Sequence, residues 1–356
     1  AIAWATTAVV FAAAVRVAFG FEPRGPEWQF TERVDLLPSI GASYAVGVDG
    51  LGMLLILLTA FMTFIAVSAS WGRDTTRLKA FYVAVLVLEA GMLGVYMALD
   101  LLLFGLCWAL AATAMCLLIE LTSGDVRPEP AGHGRRRTLI RLAGMAAAPA
   151  LVILLGMVTL HLEGRALTGA RTFDLRAFQQ LSLPIPQQRW IFIVFFAGFG
   201  GTLFGVFRRW LTVAADGRAV AIPVLLAAVF LKMGTFGFLR LSLPLLPDAA
   251  RAFAPALVAL SAIGIVFGAV AAFAQASWTR VLAHASLSHL CLVMLGAFAL
   301  TPDGLTGSTV HQINHGLAIA TLFLIAGLVA GRVRGGALAE HEDADHVRRD
   351  DEAEHE

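Results

Sequence analysis

A single lysine, Lys232, lies inside the apolar stretch AVAIPVLLAAVFLKMGTFGFL at residues 219–239. This stretch is long enough to cross the hydrocarbon layer of a membrane, which is ~30 Å thick. An ammonium group at that depth costs at least ~2.5–3.5 kcal/mol, so such a residue usually faces a bundle interior or a water-filled path. Lys232 therefore makes ion transport the first hypothesis, provided that the chain supplies partners for it.

Other titratable or strongly polar residues lie in further apolar segments: Glu89, His289, His311, Asn314 and His315. Histidine titrates near neutral pH, so a chain of such groups could relay protons if water filled the gaps between them. A structural interpretation stays open beside this one. Lys232 could pair with a backbone carbonyl, and Glu89 could be a hydrogen-bonding partner between helices.

The chain lacks the patterns typical of an enzyme. His311 and His315 share a helix face at i,i+4 spacing, which would suit a metal ion, but a polar face buried against other helices is the commoner cause. No GxGxxG, P-loop, nucleophile elbow or cysteine cluster occurs in the sequence. We therefore expect no catalytic residue, no metal and no cofactor in this chain, and bound lipids as its ligands.

The elements that must position these side chains follow from the composition. Hydrophobic residues make up 58% of the chain and charged residues 14%, whereas a soluble protein carries about 25% charged residues. Only helices satisfy their own backbone hydrogen bonds in lipid, so we predict an all-α polytopic membrane protein. About ten spans are predicted, at roughly 1–20, 49–71, 80–98, 100–121, 138–160, 188–207, 219–239, 252–274, 281–300 and 309–331.

Basic residues in the connecting loops predict the orientation of this bundle. Loops on the side of residue 1 carry about twice as many arginines and lysines as the opposite loops. This bias places both termini in the cytoplasm and the protein in a bacterial inner membrane. The bundle is predicted to cover 1–334, with a charged tail at 335–356 that is disordered or bound to a partner. The longer opposite loops, 21–48 and 161–187, carry enough apolar residues to pack against the bundle or a neighbour.

Several segments resemble a known family, the antiporter-like subunit M of complex I, the NADH–quinone oxidoreductase. The resemblance runs through most of the chain in order and is carried by VDGLGMLLILLTAFMTFIAVSASW (48–71), FYVAVLVLEAGMLGVYMALDLLLFGLCW (81–108), LLAAVFLKMGTFGFLRLSLPLLP (225–247), LSHLCLVMLGAFAL (287–300) and INHGLAIATLFLIAGL (313–328). It implies two inverted five-helix repeats, each with a discontinuous helix. It also implies partner subunits in the membrane arm of a multisubunit respiratory complex.

The resemblance assigns roles to individual residues. Positions of the central polar axis of the family are matched by Glu89, Lys232, His289 and His315. Arg141 falls where the family has a lysine on the sixth helix of its full-length fold. The match implies that this chain keeps part of a proton path.

Two further positions depart from the family. The family has a glutamate directly after the tryptophan of its fifth helix, and here Ala109 follows Trp108. It also has a lysine in its broken seventh helix, where this chain has Gly201 and lacks the prolines that follow. The missing residues form the ion pair thought to gate proton uptake in the family.

The paired loss is electrostatically consistent. Losing one member alone would strand a buried charge at a cost of ~3–5 kcal/mol, whereas losing both strands none. We therefore expect Ala109 and Gly201 to approach each other or to face a common interior region. The chain is interpreted as a truncated, degenerate homologue, incomplete at both ends of the family fold.

Three functions follow as hypotheses. In the first, the chain is a non-pumping structural or adaptor subunit of a membrane complex. In the second, it still translocates protons by a shortened route through Lys232, His289 and His315, with or without Glu89. In the third, it belongs to another complex with antiporter-like subunits, such as a membrane hydrogenase or an inorganic-carbon uptake system. Fold alone does not decide between these functions. The absence of charged residues at Ala109 and Gly201 favours the first.

Overall fold

The computed structural model describes residues 1–71, 77–123, 133–205 and 220–353. Most of these residues are helical. In chain order the helices are α1 (Ile2–Gly20), α2 (Gly50–Ala69), α3 (Leu78–Met97), α4 (Leu101–Ser123), α5 (His133–Thr168), α6 (Leu175–Gln179), α7 (Ile185–Phe195), α8 (Ala221–Leu245), α9 (Pro247–Phe273), α10 (Trp278–Phe298) and α11 (Pro302–Ala353).

The predicted helical membrane protein is confirmed. Within the described residues, nine single helices are long and apolar enough to cross a membrane, namely α1 to α5 and α8 to α11. The predicted span 188–207 corresponds to α7, which is α-helical to Phe195, and to the π-helical segment that continues it, Phe196–Gly205. The two parts follow each other without a break, and together they are long enough for a span.

Besides the predicted helices, the first long loop contains a feature that the sequence did not predict, a hairpin of two strands. Strand β1 (Gln29–Leu37) pairs antiparallel with β2 (Ala42–Val48). The turn between them contains Gly41 at φ 76°, a left-handed conformation that glycine adopts without steric cost. This segment lies outside the apolar spans, so the requirement for helix in lipid does not apply to it.

Backbone hydrogen bonds attach the hairpin to the bundle. Leu99 N, just before α4, donates to Ala45 O of β2 over 2.9 Å, and Phe173 N donates to the turn between the strands over 3.2 Å. We call residues 21–49 and 169–184 the hairpin layer. The prediction that both long loops pack against the bundle is confirmed.

An ion pair joins the hairpin layer to α8. The Asp49 side chain accepts from Gly52 N over 2.8 Å and so caps α2. Asp49 also accepts a hydrogen bond from Arg240 near the end of α8. The Arg240 guanidinium lies over the rings of Trp28 and Phe236, at 4.5 and 4.9 Å from their centroids. The end of α8 is thereby tied to the start of α2.

Two other aspartates in or beside the hairpin layer are fully supplied with donors. Asp100 accepts from Ser43 N and Oγ at 2.9 and 3.1 Å, and from two N–H groups of the first turn of α4. Asp174 accepts from Arg33 at 2.7 Å and from Arg176 at 2.8 Å. Burial alone would raise the pKa of Asp174, but the hydrogen bonds of Arg176 and the charges of Arg176 and Arg33 hold it below its usual value.

The last helix, α11, is long. Its backbone stays helical from Pro302 to Ala353, through most of the predicted tail. Residues 354–356 lie outside the described residues. The division into a bundle at 1–334 and a disordered or partner-bound tail at 335–356 stays a prediction.

Candidate functional site

The helix α8 carries Lys232 through the middle of the bundle, and nearly all of its residues are buried. Two π-helical turns, Leu226–Phe230 and Phe238–Ser242, flank the α-helical segment Leu231–Gly237 that contains the lysine. Wide turns of this kind are rare and occur frequently at functional sites. The local backbone therefore marks the lysine position independently of its charge.

Lys232 is fully buried and has two polar contacts. Its Nζ donates to Ala227 O, one turn earlier on α8, over 2.7 Å, and lies 2.7 Å from His315 Nδ1 on α11. An ammonium group has no acceptor, so a charged Lys232 requires His315 Nδ1 to accept and the imidazole proton to lie on Nε2. That Nε2 is buried and has no hydrogen-bond partner among the described residues.

The helices α8 and α11 meet a second time, one turn away. Thr235 Oγ1 donates to Gln312 Oε1 over 2.5 Å. Gln312 is fully buried, and its Nε2 has no partner within the described part of the chain. The sequence analysis missed both residues. Their i,i+3 spacing from Lys232 and His315 is the signal that could have found them, because side chains three apart share a helix face.

Two further histidines complete the group. His289 Nδ1 on α10 lies 3.1 Å from His311 Nε2 on α11, and the His289 ring lies 5.2 Å from the His315 ring. His289 is exposed and His311 is half-buried, so they lie at the edge of the group. No three ligating side chains in the described residues are arranged to hold a metal ion. The Lys232 cluster is defined as Lys232, Thr235, His289, His311, Gln312 and His315.

Two polar residues that the sequence placed at the same depth do not join this cluster. Glu89 is buried on α3, and its Oε1 has no hydrogen-bond partner among the described residues. No hydrogen bond or ion pair joins Glu89 to Lys232 there. Asn314 is exposed, although the adjacent His315 is buried. The structure therefore brings together Lys232 and three histidines, without a carboxylate.

Aromatic side chains fill the other side of α8. Trp108 of α4 lies 5.3 Å from Phe199 of the π-helical segment, measured between ring centroids. Phe199 in turn lies 5.6 Å from Phe238 of α8, and Phe104 lies 6.4 Å from Phe236. We call these five residues the aromatic cluster. All five are at most 1% exposed.

The two positions at which the family resemblance implies an ion pair lie close in sequence to members of this aromatic cluster. Ala109 follows Trp108 and Gly201 lies two residues after Phe199, and both are half-buried. A Cβ added at Gly201 would meet no atom within 4 Å. The approach of Ala109 to Gly201 stays a prediction. Arg141 lies on α5, and its side chain is outside the described part of the structure.

A bundle of membrane helices around one buried, hydrogen-bonded lysine defines a class of polytopic membrane protein in which ion transport is the default hypothesis. Comparison with known proteins gives the family. The chain belongs to the family described as NADH:quinone oxidoreductase/Mrp antiporter, TM, which matches residues 98–342. This agrees with the resemblance seen in the sequence.

Relatives in cyanobacteria support the assignment. The chain is 34% identical over 322 residues to NAD(P)H-quinone oxidoreductase chain 4 3 of Picosynechococcus sp., covering 90% of this chain and 56% of the relative. Chain 4 2 of Microcystis aeruginosa gives the same identity and coverage. The chain therefore spans about half the length of the curated relatives that it matches.

Solved structures share the fold. Respiratory complex I from Thermus thermophilus with bound NADH matches with a TM-score of 0.75 and 26% identity, covering 92% of this chain and 66% of that one. The Mrp complex from Dietzia sp. matches with a TM-score of 0.73 and 21% identity, covering 92% and 34%. The predicted antiporter-like fold is confirmed.

Proposed function

We propose that this chain is a subunit of a multisubunit membrane complex related to complex I or to Mrp antiporters. The family match and the complexes named among its relatives support this assignment. We place it in a bacterial cytoplasmic membrane with both termini on the cytoplasmic side, because of the excess of basic residues in the loops on that side. Lipids would cover the apolar faces of α1 and α9, which are mostly exposed.

Within such a complex, we propose a structural or adaptor role without proton pumping, as a degenerate homologue of subunit M. The aromatic cluster carries this proposal. A proton path needs polar groups or water at hydrogen-bond distances throughout, and between α4, the π-helical segment and α8 the described side chains are Phe104, Trp108 and Phe199 with their neighbours. Ala109 and Gly201 add no titratable group there.

A second candidate function, proton translocation, is favoured by the Lys232 cluster. Lys232 contacts His315, and His289 contacts His311, at distances that permit proton transfer. The exposed His289 and the half-buried His311 would give this route an opening that bypasses the aromatic cluster. The same contacts also suit a purely structural polar centre, which is the role that the first candidate requires.

The substitution Lys232→Met separates the two candidates. Removing the ammonium leaves Ala227 O and His315 Nδ1 without their partner, at a cost of ~1–3 kcal/mol. We expect less assembled complex and unchanged proton flux per assembled complex. The measurement is proton translocation in vesicles containing the intact complex, normalised to the assembled amount of this chain.

The chain offers a matched control, Lys79→Met, because Lys79 is exposed at the start of α3. This control should change neither assembly nor flux. A large loss of flux in a normally assembled Lys232→Met complex would reject the non-pumping role and establish the second candidate. The subunits that copurify with the complex identify its type.

A further inference from the structure

The Lys232 cluster contains four basic side chains and no acid. Lys232, His289, His311 and His315 lie on α8, α10 and α11, joined by contacts of 2.7 and 3.1 Å and by ring distances of 5.2 Å. No ion pair to Lys232 occurs among the residues that the structure describes. Buried charges in proteins are normally paired. A charged form of this cluster therefore lacks its counter-charge within the described chain.

The unsatisfied atoms of the cluster are donors. Thr235 Oγ1 donates to Gln312 Oε1, so the free atom of the Gln312 amide is Nε2, which carries two hydrogens. When Lys232 is charged it donates to His315 Nδ1, so the free atom of His315 is Nε2, which then carries the ring proton. Both residues are more than nine-tenths buried and lie one turn apart on α11. Two free donors thus share a helix face beside a cation.

We propose that this cluster binds a small inorganic anion, such as chloride. An anion accepts hydrogen bonds from Gln312 Nε2 and His315 Nε2 together, and its charge balances the ammonium of Lys232. A neutral water molecule would accept the same bonds but would leave the charge unbalanced. The exposed His289 and the half-buried His311 form the side from which the anion enters.

The test measures halide binding to the purified complex, in detergent, at constant ionic strength. Thermal unfolding is followed while sodium chloride or sodium bromide replaces sodium gluconate. We expect a saturable rise of the melting temperature by a few degrees in either halide and none in gluconate. Lys232→Met should abolish this rise, and Lys79→Met should preserve it.

A second variant keeps the test decisive if Lys232→Met fails to fold. Gln312→Leu removes one donor without removing the charge and should lower halide affinity about tenfold, the loss expected for one charge-assisted hydrogen bond. Chloride NMR on the same samples should show line broadening that bromide reverses.

Two outcomes would overturn the anion site: equal stability in halide and gluconate for the unmodified chain, or undiminished halide binding in both variants. Halide binding is measured at equilibrium, without proton flux. Its failure is therefore distinguishable from failure of the non-pumping role.

Discussion

The two sides of α8 are both buried, but one is packed by polar side chains and the other by aromatic side chains. On one side, Lys232 and Thr235 form hydrogen bonds with α11. On the other, Phe236 and Phe238 pack against rings of α4 and of the π-helical segment. Residues on neighbouring positions of one helix therefore face a basic cluster and an aromatic cluster. A buried charge persists where the facing helix supplies an acceptor, and aromatic packing occupies the side where the ion pair of the family is absent.

The two clusters also differ in how completely their polar atoms are satisfied. The Lys232 cluster has two free donors, on Gln312 and His315. In the aromatic cluster, the indole Nε1 of Trp108 is buried and has no partner among the described residues. Trp108 directly precedes Ala109 in sequence, the position at which the family resemblance implies a glutamate.

The largest expected effect lies in the aromatic cluster. Phe199→Ala removes a ring that contacts Phe104, Trp108 and Phe238, and should destabilise the protein by ~3–5 kcal/mol. The measurement is the free energy of unfolding in detergent. The matched control is Phe273→Ala, because Phe273 is 94% exposed on α9 and should change stability by less than ~0.5 kcal/mol. Similar losses for both variants would show that the aromatic cluster is not a packed core.

Restoring the lost charges tests whether the aromatic side once held an ion pair. Gly201→Lys meets no steric barrier at its Cβ, but an unpaired ammonium at this depth should cost ~2.5–3.5 kcal/mol. Ala109→Glu alone should also destabilise. If both positions face one region, the double variant recovers part of the loss, with a coupling energy above ~1 kcal/mol.

Additive losses in this cycle would contradict the expected approach of Ala109 and Gly201. A coupled pair that also raises proton flux through the assembled complex would define more clearly how the two sides of α8 differ. It would show that the aromatic side lacks only its titratable residues, and that the Lys232 cluster keeps the remainder of a working route.

The titratable residues of the Lys232 cluster can be identified from the sequence more readily than its uncharged polar residues. Lys232, His289 and His315 were recognisable because charge in an apolar segment is costly and therefore informative. Thr235 and Gln312 were missed because single uncharged polar residues are common in membrane helices. Glu89 makes no hydrogen bond to Lys232 or to the three histidines among the described residues, because a shared depth in the membrane does not specify the direction of a side chain.

The π-helical segment and the hairpin could not be predicted from the hydrophobic pattern either. The π-helical segment Phe196–Gly205 has the composition of an ordinary span, and no local signal marks a wide turn. The sequence predicts a loop where the hairpin at 29–48 forms, because the short strands lie between long apolar helices. The spans themselves were predicted well, since hydrophobic length is set by the membrane and not by tertiary contacts.

The smallest expected effect lies in the hairpin layer, which is held together by charges and not by the buried clusters on the two sides of α8. The pKa of Asp174 is held below its usual value of about 3.8 in the folded protein, against the effect of burial, by Arg176 and Arg33. Its stabilisation is therefore present above the unfolded pKa and is lost as pH falls through the folded pKa. Asp174→Asn should lower stability at neutral pH by ~1 kcal/mol or less, because both arginines are partly exposed. Unfolding measured from neutral to acidic pH should show the two proteins converging as the pH falls. A difference that widens on acidification would contradict this expectation and assign the acid response to another group.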